Sequence, residues 1–312
     1  MQARVPGGAW CGGRELTLSE RTLIISDTHM ARQDRPVSSP RLLRPLWEGF
    51  DHLVINGDTV EIPIGTDPGP SELIDELHEL CGADDMALTL IAGNHDPHLS
   101  ELRHLMLWEG RILLTHGDVL HPAIAPWALN ARHLVRTTYL GLRRMRHHHR
   151  RLDDRLEAHR ASARFYWTHL ANNGRPFTAL REFALRPWAV ATMLYYWWKV
   201  PSMADELAAQ HAPYADFIIL GHTHRAGVWE VGRRVVINTG CFPFPGRPLA
   251  VAVDETSVCV HRIERGRDGH YRLVPQPIRR FERGRGGRGH APPAIPRRRA
   301  TDPPEPDAPQ PG

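Results

Sequence analysis

The feature that most restricts the fold of this 312-residue chain is a rhythm of short apolar runs, each breaking off in a cluster of Asp, Asn, His and Gly. Thr22–Ser26 runs into Asp27-Thr28-His29, and His52–Asn56 into Gly57-Asp58. Ala87–Ala92 leads to Gly93-Asn94-His95-Asp96, and Arg111–Thr115 to His116-Gly117-Asp118. Phe217–Leu220 leads to Gly221-His222-Thr223-His224. Runs this short and this apolar, closed by turn formers, predict buried strands. Between them, Leu73, Leu77 and Leu80 fall on one face at helical spacing, which predicts a helix over Ser71–Cys81. Strands alternating with helices imply an α/β core.

The rhythm breaks over 121–215, where Arg and aromatic residues dominate and the spacing turns helical, as at Leu152, Leu156, His159 and Ala163. This stretch is expected to be a helical insertion. It carries 14 Lys+Arg against 6 Asp+Glu, whereas 1–120 with 216–282 carries 19 against 26. Metal-binding carboxylates and anion-attracting surface are thus expected in different parts of the chain. Strand patterns resume at Phe217–Leu220, Gly227–Val231, Arg234–Asn238, Leu249–Asp254 and Ser257–Ile263, predicting a second sheet. Residues 283–312 hold eight Pro and five Gly with almost no large apolar side chain, a composition that cannot offset the entropy of folding. A disordered tail is expected there, after a domain over 21–282 and an N-terminal extension over 1–20.

With 41% hydrophobic and 24% charged residues the chain falls among folded globular proteins. Cys11, Cys81, Cys241 and Cys259 lack the paired spacing of a disulfide framework or a cysteine zinc site. No basic flank precedes an apolar run near the N-terminus, which leads to an expectation of a cytoplasmic protein. The uncharged run Trp188–Trp198 is far shorter than the ~20 residues of a spanning helix.

The residues closing the apolar runs carry the chemistry. In extended backbone, residues i and i+2 share a side, so Asp27 with His29, and His222 with His224, can each aim two donors at one point. The donors are imidazoles, carboxylates and one amide, with no thiolate, a set suited to Mn²⁺, Fe or Zn²⁺. Asp27, His29, Asp58, Asn94, His116, His222 and His224 are too many for one tetrahedral ion. Two ions ~3.5–4 Å apart, bridged by one carboxylate, would use all seven and would clamp an in-line displacement at phosphorus.

The order D-x-H, G-D, G-N-H-D, H-G-D, G-H-x-H resembles the calcineurin-like metallophosphoesterase family over about 20–265, with 121–215 unmatched. The resemblance implies a two-sheet α/β/β/α sandwich. It implies Asp27, His29, Asp58 and His224 as ligands of one metal and Asp58, Asn94, His116 and His222 as ligands of the other, with Asp58 as the bridge. His95 corresponds to the family's non-ligand histidine, which stabilises the transferring phosphoryl group or protonates the leaving oxygen, and Asp96 would orient it. The implied reaction is hydrolysis of a phosphoester or pyrophosphate bond by metal-activated hydroxide, with Mn²⁺ as the first choice of ion.

The insertion bears on substrate. Arg132, Arg136, Arg143, Arg144, Arg146, Arg150 and Arg151 lie with Trp127, Trp167, Trp188, Tyr195, Tyr196, Trp197 and Trp198. As a lid, these helices would receive acyl chains and hold phosphates, or touch an anionic membrane peripherally. That placement is similar to the UDP-2,3-diacylglucosamine pyrophosphohydrolase branch, which carries Arg where this chain has His95. The same residues could instead serve nucleic acid, making the protein a nuclease or nucleotide phosphodiesterase. In the plainest reading the aromatics are core or interface and the substrate is a small phosphoester. A rival of another class is a non-catalytic metal-binding scaffold on the same fold. His147-His148-His149 and Arg297-Arg298-Arg299 read as solvated composition. Asn238-Thr239-Gly240-Cys241 resembles a family turn near the active site, with Cys241 as a packing residue.

Overall fold

A computed structural model describes residues 10–11, 14–15, 21–32, 37–61, 69–126, 131–144, 152–165 and 187–283. In chain order the strands are β1 (Trp10–Cys11), β2 (Arg14–Glu15), β3 (Thr22–Ile25), β4 (His52–Asn56), β5 (Ala87–Ile91), β6 (His104–Leu107), β7 (Ile112–Thr115), β8 (Phe217–Leu220), β9 (Gly227–Val231), β10 (Arg234–Asn238), β11 (Leu249–Val253), β12 (Ser257–Arg265), β13 (Tyr271–Leu273) and β14 (Arg279–Glu282). The α-helices are α1 (Gly69–Ala83), α2 (Ala131–Arg144), α3 (Leu152–Phe165) and α4 (Pro187–His211). Most of the N-terminal extension, Trp127, Trp167, Arg146, His147–Arg151 and the Pro/Gly-rich tail lie outside the described residues.

Two mixed sheets form the body. The larger runs β13-β12-β11-β3-β4-β5, with β14 paired to β12, and the smaller runs β6-β7-β8-β10-β9. β3, β4 and β5 are parallel, in register Thr22↔His52 and His52↔Ala87, so their carboxyl ends emerge on one edge. β7 and β8 are likewise parallel, with Ile112 opposite Phe217.

Period-two alternation sorts the strand side chains into layers. Ile24, Val54, Ile112, Leu114, Ile219 and Ile237 meet between the sheets. Their neighbours Leu23, Ile25, Leu53 and Ile55 face outward onto Leu77, Leu80 and Cys81 of α1 and onto the 3-10 turn Pro40–Leu46. On the other side, Leu113, Ile218, Leu220 and Val236 pack against Leu152 and Leu156 of α3 and Tyr196, Val200, Ala204 and Leu207 of α4. Each fully buried Leu or Ile contributes on the order of 2 kcal/mol. The result is the expected α/β/β/α sandwich, and the insertion's helices α3 and α4 supply its outer layer over the smaller sheet.

Strands β13 and β14 escape the apolar-run criterion because they are short and carry Arg or Glu, and β6 escapes it because it is only four residues long and is not closed by turn formers. Cys81, Cys241 and Cys259 are free and buried. Among the described residues no helix is long and apolar enough to cross a membrane.

Candidate metal centre

The carboxyl ends of β3, β4, β5, β7 and β8 converge on one edge of the sandwich, where open α/β sheets present their ligands. Asn56, closing β4, joins the two sheets: its Nδ2 donates to the carbonyls of Thr115 (3.0 Å) and Ile219 (3.2 Å). The turns beyond the strands are tight, and Asp27, His29, Asp58, His222 and His224 all adopt left-handed backbone, with φ between 45° and 66°. Such conformations are uncommon outside glycine, although Asp and His are enriched among the exceptions, and they gather at functional sites. Gly93 has a close-approach reason to be glycine, since a Cβ there would strike the Asp58 carboxylate.

The seven expected ligands come together in two groups that share Asp58. In the first, donor atoms of Asp27, His29, Asp58 and His224 all lie within 4.8 Å of one another. His29 Nε2 is 3.1 Å from His224 Nε2 and 3.8 Å from both Asp27 Oδ1 and Asp58 Oδ2. In the second, His116 Nε2 lies 3.1 Å from both Asp58 Oδ2 and Asn94 Oδ1, and His222 Nδ1 lies 2.7 Å from Asn94 Oδ1.

Three of these imidazoles are fixed from behind. His29 Nδ1 donates to Glu61 (2.8 Å), His116 Nδ1 to the Asn56 carbonyl (3.0 Å) and His222 Nε2 to the Ile124 carbonyl (2.9 Å). An acceptor-only partner demands N–H on that nitrogen, which leaves the opposite nitrogen as the inward donor. The carboxylates are held too: the His222 amide donates to Asp27 (3.1 Å) and the His95 amide to Asp58 Oδ1 (2.8 Å). Imidazole nitrogens and carboxylate oxygens crowded at these distances require positive charge among them, so the donor set fits divalent cations of the oxygen- and imidazole-loving kind.

The electrostatics show how strongly this cluster favours positive charge. Burial pushes the Asp58 carboxyl up, but His116 and His95 outweigh it and hold the group well below the usual carboxylate range. Burial pushes His116 down, yet Asp58 raises it to about 10. Burial likewise opposes protonation of His95, and Glu61 and Asp58 lift it to about 9. His222, buried and facing His116, is pushed down to about 4.

Asp96 and His95 take partners other than those the resemblance implies. Asp96 was expected to orient His95, but its oxygens accept from the amides of Gly93 and Thr59, each at 2.6 Å, so it shapes the turn. The partner of His95 Nδ1 is Glu61 Oε2, at 2.8 Å. Glu61 thus holds both His29 and His95 from three residues past Gly57-Asp58, outside the strand-end cluster. Its signal in the sequence is a carboxylate between the apolar residues Val60 and Ile62. Cys241 is buried, and the environment of His224 includes its thiol.

The insertion's aromatics divide by face. Tyr196 is buried and packs edge-on to His121, at 5.8 Å between ring centroids. Trp188, Leu194, Tyr195 and Trp198 form an exposed stripe along α4, with Trp198 66% accessible. Arg132, Arg136 and Arg143 are exposed on α2. Arg225, one residue beyond His224, donates to the Trp197 carbonyl (2.7 Å), tying α4 to the site.

Residues 21–265 match the calcineurin-like phosphoesterase superfamily domain, and the chain belongs to that superfamily. The fold comparison returns a predicted phosphoesterase from Streptococcus pneumoniae TIGR4, 15% identical over 86% of this chain and 100% of that one, with a TM-score of 0.36. It also returns Yfce, a phosphoesterase from E. coli, 14% identical over 84% and 98% of the two chains, TM-score 0.37. Vps29 from Entamoeba histolytica complexed with Zn²⁺ is 14% identical over 84% and 98%, TM-score 0.36. Comparison with curated proteins gives no match.

Proposed function

We propose that this protein hydrolyses a phosphoester or pyrophosphate bond with two divalent ions, one held by Asp27, His29, Asp58 and His224 and the other by Asp58, Asn94, His116 and His222. The supporting observation is the position of Asp58 Oδ2, 3.8 Å from His29 Nε2 and 3.1 Å from His116 Nε2, in reach of both donor groups. When bound, such ions supply Lewis acidity, which activates water and neutralises phosphoryl charge; Mn²⁺ is our first choice, with Fe or Zn²⁺ as alternatives.

The remaining work falls to the chain's own side chains. His95, its Nδ1 fixed by Glu61, presents Nε2 4.0 Å from Asp58 Oδ2, at the edge of the centre. From there it stabilises the phosphoryl oxygens or hands a proton to the leaving oxygen. Glu61 keeps the proton on His95 Nδ1 and so sets which nitrogen faces the substrate.

For substrate we favour an amphipathic, nucleotide-linked lipid such as UDP-2,3-diacylglucosamine, reached by a cytoplasmic enzyme touching an anionic membrane peripherally. The exposed α4 stripe and the exposed arginines of α2 support this choice: aromatic side chains suit acyl chains and the headgroup boundary, and arginines suit phosphates.

The test is a Mn²⁺-loaded assay against 4-nitrophenyl phosphate, bis(4-nitrophenyl) phosphate and a UDP-linked diacylated sugar, with Asp58→Ala as the control. UMP release from the lipid substrate supports the full reading. Turnover of the simple esters alone retains the chemistry and removes the lipid. Silence with Mn²⁺, and with Fe or Zn²⁺ in its place, favours the scaffold.

A further inference from the structure

The loop that carries Asn94 and His95 is closed at its neck by the Ala92 amide donating to the Leu102 carbonyl (2.9 Å). Asp96 secures its near half through Gly93 and Thr59. Its far half, 97–101, is secured from outside the sandwich by Arg160 of α3. Arg160 Nε donates to the Pro97 carbonyl (2.8 Å), and Nη2 to the Ser100 carbonyl (2.7 Å) and Glu101 Oε1 (3.0 Å). Nη1 donates to Glu101 Oε2 (2.5 Å) and, more weakly, to Glu157 Oε2 (3.5 Å).

A guanidinium offers five N–H donors in a fixed plane, and here every one has an acceptor. The side chain is 3% exposed although it is charged, a placement tolerated because the fork is fully satisfied. The adjacent His159 is also buried, and the Asp118 carboxylate of the next ligand-bearing turn acts on it electrostatically. Two successive residues of one insertion helix therefore bear on two of the five site loops.

We propose that Arg160 is a positioning residue: through its five-donor fork the insertion holds the loop that sets Asn94 and His95 against Asp58. The insertion is then part of the catalytic machinery as well as a selector of substrate. This rests on the proposed phosphoesterase reading, and its test separates the two.

The full-length chain would be compared with Arg160→Ala, Arg160→Lys and Glu101→Gln by hydrogen–deuterium exchange and by steady-state hydrolysis of bis(4-nitrophenyl) phosphate with Mn²⁺. In Arg160→Ala, exchange across 92–102 should rise at least about tenfold while the β4 peptide 52–56 stays protected. Its kcat should fall roughly 10- to 100-fold, with KM moving by less than about threefold, because misplacement of the loop acts on the chemical step. Arg160→Lys keeps the charge and loses the fork, so it should remain impaired. Glu101 is 89% exposed, so Glu101→Gln tests the same contact without threatening folding and should shift both readouts in the same direction by less.

Unchanged exchange over 92–102, kcat within twofold of wild type, or full recovery in Arg160→Lys would overturn the proposal. If the wild type hydrolyses nothing, the phosphoesterase reading falls, and the exchange comparison alone supports or overturns the brace.

Discussion

His52 and His116 are both fully buried and sit at opposite ends of the same sandwich. His52 opens β4 between the hydroxyls of Thr22 (3.4 Å) and Thr89 (2.7 Å), and burial pushes it down to about 4. His116, beyond the end of β7, feels the same burial, but Asp58 lifts it to about 10. Burial by itself yields a neutral imidazole that fills space. A carboxylate 3.1 Å away instead favours positive charge on the same side chain. The two ends of the strands thus serve different purposes: one end is built for stability and the other gathers cation-binding groups.

The sharpest way to break this contrast is at the functional end. His95→Ala should keep its metals by elemental analysis and lose roughly 10²- to 10⁴-fold in kcat, the range of a general acid. An unchanged kcat would remove His95 from the chemistry.

At the structural end, the unfolded chain takes up a proton on His52 below about 6.5, whereas the folded chain resists until about 4. The unfolded state therefore binds more protons in that window, and stability falls as pH drops through it, by about 3 kcal/mol in total. Urea unfolding between pH 7 and pH 4 should show that slope, and His52→Gln should flatten it; equal slopes would return His52 to an ordinary environment.

Glu61→Gln sharpens the contrast between the two carboxylates near His95. Loss of a group that orients a ligand histidine costs roughly 10- to 100-fold in metal affinity or activity, read here as kcat and metal content together. The smallest effect belongs to the exposed stripe of α4. Trp198→Ser should change unfolding free energy by no more than about 0.5 kcal/mol. It should nonetheless weaken sedimentation with phosphatidylglycerol vesicles; unaltered sedimentation would detach α4 from the membrane.

Much of this organisation was legible because it rests on local rules. The spans His52–Asn56, Phe217–Leu220 and Arg234–Asn238 coincide with β4, β8 and β10, since an apolar run closed by Gly or Asn leaves little choice. The seven donor residues were legible as a set because each follows such a run, and parallel pairing then delivers them to one edge. What stayed hidden depends on contacts across the chain. Glu61 acquires its meaning only when His29 and His95, 32 and 34 residues away, close on it. Arg160 reads in sequence as one more solvated arginine of a helix with mixed charge. Its burial follows from acceptors 59 to 63 residues distant, which no periodicity reveals. The insertion's role in the outer layer was hidden for the same reason, because α3 and α4 find their apolar partners on β7, β8 and β10.

The most direct test of the central claim is metal stoichiometry measured with hydrolysis, in wild type and Asp58→Ala, after loading with Mn²⁺. A carboxylate shared by two donor groups predicts two ions per chain and turnover in the wild type, with both ions and all turnover lost together in the variant. An Asp58→Ala protein that still holds two ions, or that still hydrolyses the ester at the wild-type rate, would contradict it.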